Sequence, residues 1–188
     1  MATKVQAPEQ ARDFTISDIN GNEISLQSYK GKKVILSFFR YAECIFCNLH
    51  IRKLSQALDQ IENSQYQFMA VFQSPKDHVH EHFTNKLIDV SLIADPARRL
   101  YKLYAVEESN FIKFLRGTMR LDKFFYALMS GIGVKVGHGS KFLVPADFLV
   151  NEEGMIVKAY YGKNISDHLP VDQVVKFLIK KEKDGTEA

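Results

Sequence analysis

Cys44 and Cys47 are the only cysteines of the chain, and they are spaced as C-x-x-C. Two thiols cannot build a disulfide framework, and a structural zinc site would need two further ligands. The spacing favours a reversible dithiol–disulfide couple, because one thiolate can attack while the other resolves the mixed disulfide or sulfenic acid that forms. We therefore predict that both cysteines are catalytic, and that the protein needs no cofactor and no metal ion.

The position of Cys44 along the chain predicts which thiol is the more reactive. An apolar, β-rich run at 34–39 precedes it, and a helical pattern begins at Cys44 itself. Backbone N–H groups at a helix start lack partners within the helix, and the helix dipole favours negative charge there. We expect Cys44 to be the exposed nucleophile and Cys47 its partner, with Arg40 lowering the pKa of the thiol and Glu43 raising it.

The elements that must position these thiols alternate along the chain. A hairpin forms around the turn at 20–22, and further apolar runs that predict strands lie at 67–72, 91–94, 146–150 and 155–160, with helical patterns between and after them. Such alternation requires right-handed crossovers and a sheet covered on both faces. We predict an α/β fold with a central mixed sheet flanked by helices and an N-terminal β-hairpin, in a single domain over 1–188.

Composition excludes several classes of protein. The chain has 188 residues, of which 46% are hydrophobic and 25% charged, as is ordinary for globular proteins. A net charge of +3 is too small to indicate nucleic-acid binding. No apolar run approaches the roughly 18 residues of a membrane helix, and the N-terminus lacks the pattern of a signal peptide. We therefore expect a cytoplasmic protein with a reduced or cycling dithiol.

A basic segment from 110 to 144 stands apart from the rest. It holds six basic residues, one acidic residue and five of the ten glycines. Apolar residues recur in it at near-helical spacing, which predicts a helical basic insertion over about 107–142. Packing within the protein or in a homodimer is the favoured interpretation. Contact with an anionic membrane is a less favoured alternative, and docking of a partner by a redox-regulated adaptor is another.

The histidines give weaker signals. His78 and His82 share a helix face with the spacing that metal ligands use, but a solvated face is favoured for them because no further ligand is fixed nearby. His50 could tune Cys47 or could be ordinary surface polarity. His168 is interpreted as part of the turn that leads into the last helix.

Three stretches of the chain, together with the C-x-x-C motif, resemble a known family. The stretches are 13–39, 92–106 and 144–150, and the motif follows Phe38-Phe39-Arg40. The chain is similar to thioredoxin-fold peroxiredoxins, and in particular to the peroxiredoxin-like group with Phe-x-Arg and C-x-x-C. The resemblance implies a thioredoxin-like fold, an antioxidant or thiol–disulfide exchange activity, a peroxide or disulfide substrate, and a thiol reductant of the thioredoxin or glutathione type.

The same resemblance adds Arg40, Val144 and Pro145 to the site as supporting residues. Pro145 matches the proline that is cis in the thioredoxin fold and faces the dithiol. Aligned with true peroxiredoxins, however, Cys47 falls at the attacking cysteine and Cys44 at a threonine, while Arg40 replaces a proline and Val144-Pro145 replace an arginine. Two alternatives therefore stay open. In one, Cys47 attacks peroxide and Cys44 resolves; in the other, the protein is an adaptor without turnover.

Overall fold

The computed structural model describes residues 2–61, 65–83, 90–106, 140 and 142–180. Eight strands, four α-helices and one short 3-10 helix (Leu26–Tyr29) lie in these ranges. The strands are β1 (Glu9–Gln10), β2 (Thr15–Ser17), β3 (Glu23–Ser25), β4 (Lys33–Phe38), β5 (Tyr66–Phe72), β6 (Val90–Ala94), β7 (Ala146–Val150) and β8 (Met155–Tyr161). The helices are α1 (Ile45–Leu58), α2 (Lys76–Phe83), α3 (Arg99–Leu103) and α4 (Val171–Ile179). The predicted N-terminal hairpin is β2–β3, whose turn contains Gly21 at a φ of 91°.

The six-stranded central sheet has the order β1-β8-β7-β4-β5-β6. Strand β4 lies inside it, parallel to β5 and antiparallel to β7. Every residue of β4 is buried, as expected of a strand covered on both faces, and this explains its nearly continuous apolar sequence. The prediction of a mixed sheet flanked by helices is confirmed.

Alternate residues of β4 face two different apolar layers. Leu36 and Phe38 pack with the hairpin and α3, whereas Ile35 packs with apolar residues of α1, α2 and α4. Phe39, just after the strand, belongs to the second layer, as do both cysteines. The dithiol therefore lies against the α1 side of the sheet, at the carboxyl end of its central strand.

The carboxyl ends of β4 and β5 are joined by a side chain from α3. Asp95 fixes the start of α3, because its carboxylate accepts the backbone N–H groups of Arg99 (2.9 Å) and Leu100 (2.8 Å). The helix then places the Tyr101 hydroxyl 2.6 Å from the carbonyl oxygen of Phe39 and 2.9 Å from that of Val71. The chain is thus fixed immediately before Arg40 and the C-x-x-C loop.

Two predictions about membranes and the insertion have different outcomes. Within the described ranges, no helix is long and apolar enough to cross a membrane. The predicted helical basic insertion at about 107–142 falls almost wholly outside the described residues. Ser140 is described, and its backbone N–H and carbonyl each bond the Gln73 side chain, at 2.9 and 2.8 Å.

Candidate active site

The C-x-x-C motif begins α1 as the sequence predicts, but its first thiol is not exposed. Cys44 is the N-cap of the helix, and its carbonyl accepts the N–H of Asn48 at 2.9 Å. Only 2% of Cys44 and none of Cys47 is exposed, so the expectation of an exposed nucleophile is wrong. The physical reason is the loop before the helix, which the Ser74 hydroxyl holds against the domain by accepting the N–H of Ala42 at 2.9 Å.

The thiol cluster, as we call Arg40, Cys44 and Cys47, places a buried guanidinium against the first sulfur. Nη1 of Arg40 donates to Sγ of Cys44 at 3.4 Å, and the Arg40 residue is only 3% exposed. Burial raises the pKa of Cys44, but a hydrogen bond from the Cys47 thiol, the charge of Arg40 and the nearby N–H groups of Phe46 and Cys47 outweigh it and lower the pKa to about 6. Cys44 can therefore hold a thiolate at neutral pH.

Cys47 behaves in the opposite way. Burial raises its pKa well above the ordinary value, and both the hydrogen bond to Cys44 and the charge of that neighbour raise it further. Both cysteines are free thiols. The cluster thus combines one acidic sulfur with one that keeps its proton, and the proton of the second stabilises the thiolate of the first.

The loop that carries Cys44 is held by α2. His78 Nδ1 lies 3.1 Å from Glu43 Oε1, and His82 Nε2 lies 3.0 Å from Asn48 Oδ1. The prediction that His78 and His82 share a helix face is correct, but this face is only partly solvated, because 34% of the His78 side chain is exposed and His82 is half-buried. Their face of α2 contacts the C-x-x-C loop and the start of α1.

Val144 and Pro145 lie at the same end of the sheet as the thiol cluster. Ala146 pairs with Phe38 across β7 and β4, so the residues just before Ala146 lie beside those just after Phe38. The Val144–Pro145 peptide bond is trans, so the expectation of a cis bond is wrong. Trans is the intrinsically favoured isomer, and the Pro145 carbonyl here accepts the Gly162 N–H at 2.9 Å as the chain enters β7.

A second polar cluster was missed by the sequence reasoning. The imidazole cluster consists of His50, Asp147 and His168, from α1, β7 and the turn before α4. Nδ1 of His168 lies 3.2 Å from Oδ2 of Asp147, which also accepts the Leu169 N–H at 2.8 Å. His168 lies in the turn that leads into α4, as interpreted from the sequence, but it is buried there and its contact with Asp147 was not predicted. Its contact with Asp147 spans 21 positions, and no local pattern signals such a pair.

The imidazole cluster also has the residue types of a metal site, with candidate ligand atoms within 4.8 Å of one another. The rings of His50 and His168 are stacked, with centroids 4.2 Å apart and an angle of 9° between their planes. Imidazole binds metals through lone pairs in the ring plane at about 2.1 Å. Lone pairs in two parallel planes do not converge on one ion, so the arrangement is a hydrogen-bonded stack rather than a coordination sphere.

A protein-family comparison agrees with this architecture. The model of the AhpC/TSA family matches residues 7–159, which include the C-x-x-C loop, β4 and β7. A curated Mycobacterium tuberculosis protein named as a peroxiredoxin is 20% identical over 169 residues, covering 89% of this chain and 92% of its own.

Solved structures show the same fold at low identity. A thiol peroxidase from Chromobacterium violaceum aligns with a TM-score of 0.65 and 14% identity, over 95% of this chain and 88% of its own. A Chlorobium tepidum structure described as a thiol:disulfide interchange protein aligns with a TM-score of 0.62 and 15% identity, over 93% and 99%. The fold is therefore thioredoxin-like, as the sequence predicts.

Proposed function

The chain belongs to the AhpC/TSA family and is a thiol-based oxidoreductase, and from this premise we propose that Cys44 and Cys47 form its reactive couple. Cys44 is the nucleophile in this proposal and Cys47 the resolving thiol, with Arg40, Val144 and Pro145 as supporting residues. The couple operates in a single domain over 1–188 that carries the insertion at about 107–142.

The distance from Arg40 Nη1 to Cys44 Sγ, 3.4 Å, is the observation that carries this assignment. A buried cation beside one of two neighbouring thiols favours the thiolate of that thiol. The pKa of Cys44 is accordingly lowered to about 6, whereas burial raises that of Cys47. An acidic thiol attacks and leaves more readily near neutral pH, and this supports Cys44 as the sulfur that meets the substrate.

With a disulfide substrate, the reaction proceeds by two exchanges. The Cys44 thiolate attacks one substrate sulfur, forms a mixed disulfide and releases the other sulfur as a thiolate, which takes up a proton. Cys47 then loses its proton and attacks Cys44 Sγ, which releases the second substrate thiol. The substrate gains two electrons and two protons, and the protein is left with a Cys44–Cys47 disulfide.

Peroxide reduction is the second candidate, and family membership favours it. The attacking thiolate takes one peroxide oxygen and becomes a sulfenic acid, while the other oxygen leaves as an alcohol or water after protonation. The second thiol then displaces water from the sulfenic acid and closes the same disulfide. The attacking cysteine can be assigned in two ways. Alignment with true peroxiredoxins assigns the attack to Cys47, whereas the lower pKa of Cys44 favours attack by Cys44.

Regeneration of the dithiol requires a thiol reductant of the thioredoxin or glutathione type, because the disulfide must accept two electrons in each cycle. A cytoplasmic location belongs to the proposal for this reason, since that compartment maintains such thiols. The insertion serves packing within the protein or a homodimer in this proposal.

Parallel assays of peroxide consumption and disulfide reduction test the proposal with the wild type, Cys44→Ser and Cys47→Ser. We expect Cys44→Ser to abolish turnover, and Cys47→Ser to perform the first step and then stop as a mixed disulfide or sulfenic acid. Limited alkylation near neutral pH, followed by peptide mapping, should modify Cys44 first. Predominant modification of Cys47 would reverse the roles, and a single oxidation without turnover would indicate the adaptor.

A further inference from the structure

We propose that His78 and His82 of α2 are positioning residues for the dithiol. His78 contacts Glu43, the residue before Cys44, and His82 contacts Asn48, whose side chain binds the Cys44 carbonyl. The inference deepens the proposed function and rests on Cys44 as the nucleophile. It assigns a role to two histidines of α2 that take no part in the steps of the dithiol reaction itself. Two separate contacts support the inference, one to the loop before α1 and one to the first turn of α1.

The first contact runs from His82 through Asn48 to the Cys44 backbone. Asn48 is 2% exposed, and its side-chain Nδ2 donates to the carbonyls of Ala42 (2.7 Å) and Cys44 (2.9 Å). These two acceptors fix the orientation of the amide, so Oδ1 must face His82. Since Oδ1 can only accept, His82 Nε2 carries the proton and donates at 3.0 Å. His82 therefore holds Asn48, which in turn holds the loop on both sides of Glu43.

The second contact pairs His78 with Glu43, the residue immediately before Cys44. The Glu43 side chain is only 10% exposed, and His78 Nδ1 lies 3.1 Å from its Oε1. A buried carboxylate beside a thiol opposes thiolate formation by like charge. A donor, and above all a protonated imidazole, bound to that carboxylate reduces its effect on the neighbouring sulfur. His78 therefore acts on Cys44 through Glu43, without touching the sulfur.

Other charges near this pair come from both packed elements. The groups of the loop and α1 are Arg40, Tyr41, Cys44 and Cys47, and α2 adds Lys76, Asp77, His80 and Glu81. Those four residues of α2 are exposed, so water and salt screen their charges more strongly than that of Glu43. His80 thus provides a matched control, being a histidine of the same helix on its exposed side.

The test measures the pKa of Cys44 from the ultraviolet absorbance of its thiolate, together with its alkylation rate against pH, in a Cys47→Ser background. His78→Ala should raise the pKa by about half a unit to one unit, which slows alkylation about threefold to tenfold at pH 5, below the wild-type pKa, and no more than about twofold at pH 7. His82→Ala should also slow alkylation, and His82→Gln should restore the rate because its amide can donate to Asn48. His80→Ala should change neither quantity.

A double-mutant comparison keeps the result independent of any loss of folding. In a Glu43→Gln background the negative charge is absent, so His78→Ala should have no further effect on the pKa of Cys44. An equal effect in both backgrounds would overturn the inference, as would wild-type behaviour of His78→Ala and His82→Ala. If instead wild-type Cys44 titrates near the ordinary thiol value, the assignment of the nucleophile fails, which is a separate outcome.

Discussion

The thiol cluster and the imidazole cluster both contain ionisable groups and both draw a residue from α1, and their members are buried except for the half-buried His50. They differ in the chemistry of the group that carries the negative charge. In the imidazole cluster, Asp147 accepts from His168 and from a backbone N–H at 2.8 Å. In the thiol cluster, the charge lies on the Cys44 sulfur, which accepts from Arg40 at 3.4 Å, an ordinary distance for the larger sulfur atom.

This difference separates a stabilising role from a reactive one. A buried carboxylate that accepts from an imidazole and from a backbone N–H is costly to disturb, so Asp147 holds β7 against the turn before α4. A thiolate is also a nucleophile, so the Cys44 sulfur can form a covalent bond with a sulfur or oxygen atom of a substrate. We therefore expect changes in the imidazole cluster to affect folding, and changes in the thiol cluster to affect reactivity.

The largest expected effect is on stability. Asp147→Asn removes the charge that binds His168, and should lower the free energy of unfolding by about 3 kcal/mol. Urea unfolding followed by circular dichroism measures it, with the exposed Asp172→Asn as a control expected within about 0.5 kcal/mol. The pKa of Cys44 in the folded variant should be unchanged. A shifted thiol pKa with normal stability would break the distinction between the clusters.

Part of this stabilisation should depend on pH. Burial raises the pKa of Asp147, but the charge and hydrogen bond of His168, the charge of His50 and the Leu169 N–H together lower it below the ordinary 3.8. A carboxyl group with a lowered folded pKa stabilises the protein above its unfolded pKa, and that stability is lost as pH falls through the folded value. Urea titrations should show stability decreasing below about pH 4 in the wild type, and decreasing less steeply in Asp147→Asn.

The next effect is on reactivity. Arg40→Gln removes the cation beside Cys44 and should raise the pKa of that thiol by about one unit, or ~1.4 kcal/mol, which slows its alkylation about tenfold at pH 5 and about twofold at pH 7. Arg52→Gln, at an exposed position of α1, is the control and should react like the wild type. Iodoacetamide kinetics against pH measure both variants. An unchanged profile for Arg40→Gln would show that the Cys47 thiol and the N–H groups at the helix start lower the pKa of Cys44 without Arg40.

The smallest effect concerns the hydroxyl of Tyr101, which fixes the chain just before the thiol cluster. Tyr101→Phe deletes the hydroxyl near the carbonyls of Phe39 and Val71, and should cost about 1 kcal/mol. The Val71 carbonyl keeps the N–H of Phe39 as a donor at 2.8 Å, which limits the loss. Thermal unfolding measures the change. A loss above about 3 kcal/mol would mean that this hydroxyl organises more of the sheet than one hydrogen bond can account for.

Local sequence patterns predicted the parts of the molecule that are locally determined. The run 34–39 reads as a buried strand because both its faces are apolar, and the start of α1 follows from the helical spacing after Cys44. Burial of Cys44 could not be predicted, since it depends on Ser74 and α2 closing over the loop. The pairing of His168 with Asp147 depends on the position of β7 in the finished sheet. The trans bond before Pro145 shows the limit of a resemblance, which transfers a motif but not its geometry.

The burial of both sulfurs has a consequence for substrate selection. Since Cys44 is 2% exposed, a bulky disulfide can react only with the fraction of molecules in which the loop has opened, whereas a small hydroperoxide needs a smaller opening. The apparent rate constant for each oxidant equals its rate constant with the open protein, multiplied by the fraction of protein molecules that are open enough for that oxidant to enter. An opening that costs about 1.4 kcal/mol admits about one molecule in ten and slows the reaction about tenfold. Oxidants are thereby ranked by size before any chemistry occurs.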